Sequence, residues 1–426
     1  MKKFLLIFTV ALLTVACGGG GNDMPWPEEL DKPNQTPDTT VTEGKQLPAW
    51  SEGYLDIHFI NTGRGECCFY ILPDGTTLLV DAGEVKATYK ESDTSDDAAV
   101  PQKPNTETRP YVADATYIKH FMPKGKSAIN YCAPSHFHID HIGSTSMATE
   151  TAAAGYKKSG LTAIFDEIPY LNVIDRAYPD YPMDDKHATI PEMDGQLRED
   201  WKKFVNWGVA EGKFKAARFE VGKEQIVLVY DKDKYSNFRI FNICANGFVW
   251  SKSGISGEKS AKGNPASCGF HLSYGKFDYI ACGDLTSAPQ NRVAFYFRDF
   301  LGSGKLDAFK THHHLSANAW GTQMQSNNFN PRVIVNQNFY KKQPDPGHVA
   351  DLMNNIYSFW VKDFFTTNLH PQYIKANPSV VEKMNGYDGH IVIRIKPGGD
   401  EYNVYMLDDT DFLYKVKSIH GPYTSK

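Results

Sequence analysis

The sequence predicts an α+β protein folded as a four-layer αββα sandwich. Two observations predict it: strand-like runs gather in two halves of the chain, and helix-period segments fall between and after them. A parallel α/β sheet would need strands and helices to alternate one for one, and these segments do not. In the first half, residues 55–60 alternate like a strand and lead into the turn Gly63-Arg64-Gly65-Glu66. Residues 67–72 and 77–80 form a hairpin around Pro73-Asp74-Gly75, and the return strand ends on Asp81-Ala82-Gly83. Residues 84–110 read as a polar loop, 112–121 as a helix and 129–133 as a short strand. Helices are expected at 143–153 and 194–211; the latter places Leu197, Trp201, Phe204, Val205 and Val209 at roughly helical spacing. An aromatic loop, Tyr178 to Pro182, is expected to wall a cleft. The second half offers strands at 225–230, 238–242, 268–274, 277–281, 332–335, 391–395 and 402–407, with a helix at 349–360. There is no internal repeat.

The chain has 426 residues, 41% of them hydrophobic, enough for a large core in one big domain or two modest ones. The net charge of −5 argues against a nucleic-acid coat or a membrane-surface protein. Aromatic residues make up 13% of the chain, and a core use is the plain reading of them.

Residues 1–16 carry two lysines, an apolar run and small residues, the pattern of a secretory signal too short to span a bilayer. Cys17 follows directly. Thr14-Val15-Ala16-Cys17 resembles the lipobox of bacterial lipoproteins, with Leu13 one place further upstream than the usual pattern. Cys17 is then the lipidation site, and the protein belongs in the bacterial cell envelope, touching a membrane only through that anchor. Residues 17–50 read as a flexible linker, 51–415 as the folded domain and 416–426 as a tail. The other six cysteines lack C-x-x-C spacing and sit mostly in strand-like runs, where a thiol packs as a small hydrophobe.

The densest chemistry lies at Ser135-His136-Phe137-His138-Ile139-Asp140-His141. Four potential metal ligands fall within six residues, directly after a strand. His136 and His138 can share one side of the loop, while Asp140 and His141 reach a second point. Imidazole and carboxylate in such a cluster suit Zn²⁺. A histidine-rich surface loop is the competing reading.

H-x-H-x-D-H resembles the signature of the metallo-β-lactamase superfamily, and other segments fit its motifs in order. Asp81 matches the first motif, Gly283-Asp284 the one whose carboxylate bridges two ions, and residues 312–316 the late histidine motif. The resemblance covers roughly residues 51–415. Within the superfamily the chain looks most like the ComEC hydrolase domain and its soluble relatives, among them a surface phosphorylcholine esterase. Gly63-Arg64-Gly65-Glu66 stands for G-Q-G-D, Asn264 and Ser267 for N-x-x-S, and Leu315 replaces the Gly of H-H-G-S. The resemblance implies two divalent ions, zinc with manganese as the alternative. His136 and His138 would hold the first, Asp140, His141 and a late histidine the second, and Asp284 would bridge. His314 is preferred as that ligand and His313 as a donor to a substrate oxyanion, the reverse staying open. His313 and Asp140 are the residues assigned catalytic roles. His187 is a weak candidate for a third imidazole on the first ion. Arg64 reads as a surface arginine, with phosphate contact as the sharper alternative. His58 and His271 read as structural, and His390 as packed or cleft-lining.

The implied activity is hydrolysis of a phosphodiester-type substrate, in nucleic acid or a cell-surface polymer, by metal-activated water. Opening of a β-lactam or lactone ring is the alternative within the same fold. A non-catalytic surface-binding lipoprotein is the alternative outside enzymology. No obligate protein partner is implied.

Overall fold

A computed structural model describes residues 41–88, 99–181, 194–257, 263–301, 306–319, 329–353 and 362–426. In chain order the strands are β1 (Leu55–Phe59), β2 (Cys67–Ile71), β3 (Thr77–Ala82), β4 (Ile129–Cys132), β5 (Tyr170–Asp175) and β6 (Lys215–Arg218). There follow β7 (Phe238–Ala245), β8 (Phe248–Ser251), β9 (Gly254–Gly257), β10 (Gly269–Tyr274), β11 (Phe277–Ala281) and β12 (Leu306–Lys310). The last are β13 (Pro331–Asn336), β14 (Asp363–Thr366), β15 (Gly386–Tyr387), β16 (His390–Ile395), β17 (Glu401–Leu407) and β18 (Val416–Thr424). The helices are α1 (Pro110–Phe121), α2 (Ile139–Ile142), α3 (Gly160–Glu167), α4 (Asp194–Ala210), α5 (Ser287–Leu301), α6 (Pro346–Met353), α7 (Pro371–Ala376) and α8 (Pro378–Val381).

The strands form two nine-stranded sheets, ordered β18-β17-β16-β1-β2-β3-β4-β5-β6 and β15-β14-β13-β12-β11-β10-β7-β8-β9. Each is mixed. Pairing is antiparallel from β18 to β3 and parallel from β3 to β6. In the second sheet it is antiparallel from β9 to β11 and parallel from β11 to β15.

Strand periodicity sorts the apolar side chains into layers. Ile391, Ile393 and Ile395 of β16 and Leu78 and Val80 of β3 enter a core shared with Phe270, Leu272, Tyr279 and Val333 of the other sheet. Their neighbours Val392 and Leu79 point the opposite way, into a second core with Ile118 of α1, Ile164 of α3 and Trp201, Phe204 and Val205 of α4. The outer face of the second sheet forms a third core with Val293 of α5, Val349 and Leu352 of α6, Tyr373 of α7 and Val381 of α8. The layers are therefore helix, sheet, sheet, helix, as the sequence predicts. With both sheet faces covered, each buried Leu, Ile or Phe contributes about 1.5–3 kcal/mol, and the strands read as near-continuous apolar runs.

Four expectations need correction. Residues 143–153 form no helix: this Ser/Thr-rich stretch satisfies itself locally, as in the Ser144–Ser146 hydroxyl contact, and Thr151 bridges to Lys157. Residues 225–230 form no strand, because side chains take their amides: Thr76 Oγ1 accepts from Val229 N and Asp74 Oδ2 from Tyr230 N. Residues 416–426 are no tail, since β18 pairs along β17 and completes an edge of the first sheet. The fold also begins before residue 51: Leu47 is fully buried and Gly44 N donates to Val416 O. The 349–360 expectation is met by α6 to Met353, and residues 354–361 lie outside the described residues, as do 1–40 with Cys17.

Candidate metal centre

The parallel strands all deliver their carboxyl ends to one edge of the sandwich, the usual place for ligands in such sheets. Asp81 ends β3, the His136 loop leaves β4, Asp284 lies just past β11 and the 312–316 turn leaves β12. Asp81 accepts from Ser135 N and Ser135 Oγ, both at 2.7 Å, and from His141 Nδ1 at 2.8 Å. That grip fixes the start of the histidine loop and turns the Nε2 of His141 away from β3. His138 precedes α2, whose single turn carries Asp140 and His141.

Glycines let α2 sit this close. A Cβ on Gly83 would lie 2.1 Å from Asp140 O, and one on Gly65 would lie 2.5 Å from the same atom. On the other sheet, a Cβ on Gly283 would come within 2.6 Å of Ser135. Gly83 and Gly65 are thus required by close approach to one short helix, and Gly283 by close approach to the start of the histidine loop.

The side chains converge in two groups that share Asp284. Donor atoms of Asp140, His141, Asp284 and His314 all lie within 4.8 Å of one another, and so do those of His136, His138 and Asp284. Asp284 Oδ2 lies 3.1 Å from His141 Nε2, 3.4 Å from His314 Nε2 and 3.9 Å from His136 Nε2. Asp140 Oδ2 lies 2.9 Å from His314 Nε2. His136 Nε2, His141 Nε2 and Asp284 Oδ1 are buried with no hydrogen-bond partner. Orphaned donor atoms turned toward one point fit a cation, because leaving them unpaired in the interior is costly.

The electrostatics agree. Burial drives His136 well below its usual range, helped by His141 and His138. Burial opposes charge on His141 too, yet Asp284, Asp140 and Asp81 outweigh it and raise its pKa. Burial likewise opposes charge on His314, and Asp284 and Asp140 raise it to about 10. Burial works against the Asp140 and Asp284 carboxylates, but the neighbouring histidines hold both well below the ordinary value. Without a metal the cluster balances carboxylates with imidazolium; a divalent ion would replace those protons.

The three late histidines face three ways. Thr311 leads into a turn in which His313, His314 and Leu315 have φ of 45°, 52° and 52°. His314 points into the cluster, its Nδ1 held by Gln337 O at 2.8 Å. His313 is partly exposed, with Nδ1 2.7 Å from Asn318 Oδ1 and Nε2 3.0 Å from Asn264 Nδ2. His312 turns away against Phe309 and Phe329, and burial lowers its pKa to about 3.

Other expectations meet different outcomes. Arg64 is buried, not a surface residue: its Nη1 donates to Gly63 O and Val100 O, and burial lowers its pKa to about 10. His390 is packed between Tyr117 and Tyr414 and accepts from Asn61 N at 2.9 Å. His58 contacts Tyr117 OH at 2.9 Å and His271 contacts Asp278 at 2.5 Å, both structural. In the aromatic loop, Tyr181 is turned into the core beside Phe137, its hydroxyl donating to Asp175. His187 lies outside the described residues. Behind the site Glu66, read in the sequence only as part of the Gly63-Arg64-Gly65-Glu66 motif, forms a buried ion pair at 2.6 Å with Lys310, which the sequence left unassigned.

No protein-family model and no curated protein matches the chain. Solved structures do. CmlA, a diiron beta-hydroxylase from Streptomyces venezuelae, is similar over 82% of this chain and 55% of its own, at 11% identity and a TM-score of 0.36. Zn(2+)-bound PqqB from Methylobacterium extorquens is similar over 77% of this chain and 86% of its own, at 10% identity and a TM-score of 0.34. Metallo-beta-lactamase SMB-1 is similar over 80% and 90%, at 13% identity and a TM-score of 0.28. The chain thus spans little more than half the length of CmlA. No helix among the described residues is long and apolar enough to cross a membrane.

Proposed function

We propose that this chain is a metal-dependent hydrolase of the metallo-β-lactamase superfamily, acting on a phosphodiester-type substrate. The observation that carries the reading is the pair of donor groups sharing Asp284, with three orphaned buried ligand atoms turned inward. His136 and His138 would hold one ion, Asp140, His141 and His314 the other, and Asp284 both. Zinc suits this donor set, and manganese is the second choice. Two such ions would supply Lewis acidity and an activated water.

The chain's own groups do the rest. Asp81 and Gln337 fix the rings of His141 and His314 through their Nδ1 atoms, so each presents Nε2 to the centre. His313 is partly exposed, oriented by Asn318 at Nδ1 and Asn264 at Nε2; a substrate oxygen gaining charge would take the place of Asn264 at Nε2. The ComEC-like motifs support a phosphodiester over a β-lactam or lactone.

The test is hydrolysis of bis-p-nitrophenyl phosphate by Zn²⁺- or Mn²⁺-loaded protein from neutral to alkaline pH. Turnover should fall about 10²-fold in His313→Ala with metal content unchanged. Turnover of nitrocefin or lactones without phosphodiesterase activity would transfer the assignment to ring opening. Protein that takes up no metal would be a binding lipoprotein instead. We further propose that Cys17 anchors the chain to the bacterial cell envelope; Cys17→Ser should abolish incorporation of labelled palmitate.

A further inference from the structure

Behind the metal centre Glu66, from the turn before β2, meets Lys310, the last residue of β12. The two lie 244 positions apart, come from different sheets and are almost fully buried. Lys310 Nζ is 2.7 Å from Glu66 Oε1 and 2.6 Å from Oε2, and also contacts Thr311 O at 3.3 Å. The carboxylate does more than neutralise the lysine. Its Oε1 lies 3.3 Å from His314 Nδ1 and its Oε2 lies 3.7 Å from His141 Nδ1. One buried anion therefore faces the rear of two imidazoles whose front nitrogens meet at Asp284.

We propose that Glu66 and Lys310 are positioning residues that hold His141 and His314 in register across the two sheets, and so set how tightly the Asp140–His141–Asp284–His314 pocket binds a divalent ion. This rests on the reading of that pocket as a metal site. A plain structural brace is the competing account. Apolar pairs of similar volume usually serve that purpose as well or better, because desolvating two charges offsets much of their attraction. A brace would not need one carboxylate placed 3.3 and 3.7 Å behind two imidazoles whose Nδ1 atoms already hydrogen-bond Gln337 and Asp81. Carboxylates behind metal-bound imidazoles raise ligand basicity and fix ring orientation, and their loss typically weakens binding 10- to 100-fold.

The experiment uses the metal-depleted full chain, titrated with Zn²⁺ against a chromogenic chelator and with Co²⁺ by its visible spectrum. It compares wild type, Glu66→Gln, Lys310→Met and the double variant, with His314→Ala marking which equivalent belongs to the pocket. Glu66→Gln should weaken that equivalent about 10- to 100-fold and alter its Co²⁺ spectrum, leaving the other unchanged. The double variant removes the unpaired charge, so it should melt like wild type yet keep the weakened equivalent. A double variant that folds and binds both equivalents as wild type does would reduce the pair to a brace and overturn the proposal. A wild-type chain that binds no metal would instead overturn the metal-site reading on which the proposal stands.

Discussion

Leu315 shows how one side chain can offset a strained backbone. It has φ of 52°, where a non-glycine residue costs about 1–2 kcal/mol, yet its side chain is fully buried in the core under α5 and α6. The H-H-G-S motif that this segment resembles has glycine there. Leu315→Gly would relieve the strain but lose the buried side chain, which is worth about 2–5 kcal/mol. The variant should therefore be less stable by about 1–3 kcal/mol in urea unfolding, and a stability gain would show that strain dominates. His390 offers a second measurement. Burial, helped by nearby cationic groups, lowers its pKa from the ordinary 6.5 to about 3. The folded state thus refuses a proton that the unfolded chain accepts. Its contribution is intact above pH 6.5 and is lost as pH falls toward 3, at about 1.4 kcal/mol per pH unit. His390→Asn keeps an acceptor for Asn61 N and should flatten the acid limb of a stability–pH curve by about that slope. An unchanged limb would place the acid sensitivity elsewhere, His120 being a half-buried imidazole lowered to about 4.

The short helix α2 carries two of the proposed ligands, and its position depends on absent side chains more than on present ones. Gly83→Ala would drive a Cβ into Asp140 O, which Gly65 also approaches. The cheapest relief is to move α2 by an ångström or so, because β3 is locked between β2 and β4. Metal affinity should fall at least 10-fold while far-UV circular dichroism stays native; unchanged affinity would mean that the loop absorbs the methyl without moving Asp140. This also explains what could be read in advance. The histidine loop was legible because its ligands are adjacent in sequence and follow a strand. Asp284 and His314 were legible only through motif resemblance, since each reaches the centre from the other sheet. Glu66 was legible only as the last residue of the Gly63-Arg64-Gly65-Glu66 turn motif, and its pairing with Lys310 left no local signal. The turning away of His312 was also hidden, because three consecutive left-handed residues at 313–315 break any regular facing pattern. Among the strands, β5, β12 and β14 were missed because each is short and mixes polar with apolar residues, so no clear period shows. The run at 225–230 has the right alternation, yet Asp74 and Thr76 take the amides a ladder would have used.

The proposed centre is also a seam of the whole molecule. The first sheet and its loops supply His136, His138, Asp140 and His141; the second supplies Asp284 and His314. Other contacts cross the same seam: Cys268 N donates to Ser135 O, Cys68 Sγ to Gln337 Oε1 and Gln337 Nε2 to Cys67 O. An ion held from both sheets binds only when the sheets are assembled, so its binding free energy adds to that of folding. At a free ion concentration of 100 times the dissociation constant, each site would add about 2.7 kcal/mol. Stabilisation should weaken toward low pH, since the ion must displace protons from His141 and His314, whose pKa values the surrounding carboxylates raise. Calorimetry at neutral pH in two buffers of different ionisation enthalpy should therefore show protons released on Zn²⁺ binding. Thermal unfolding should shift upward with added Zn²⁺ and downward with chelator, and Asp284→Asn should remove most of that difference because it weakens both pockets at once. Equal melting temperatures in zinc and in chelator, with metal shown to be bound, would mean that the ion bridges nothing the folded sandwich does not already hold.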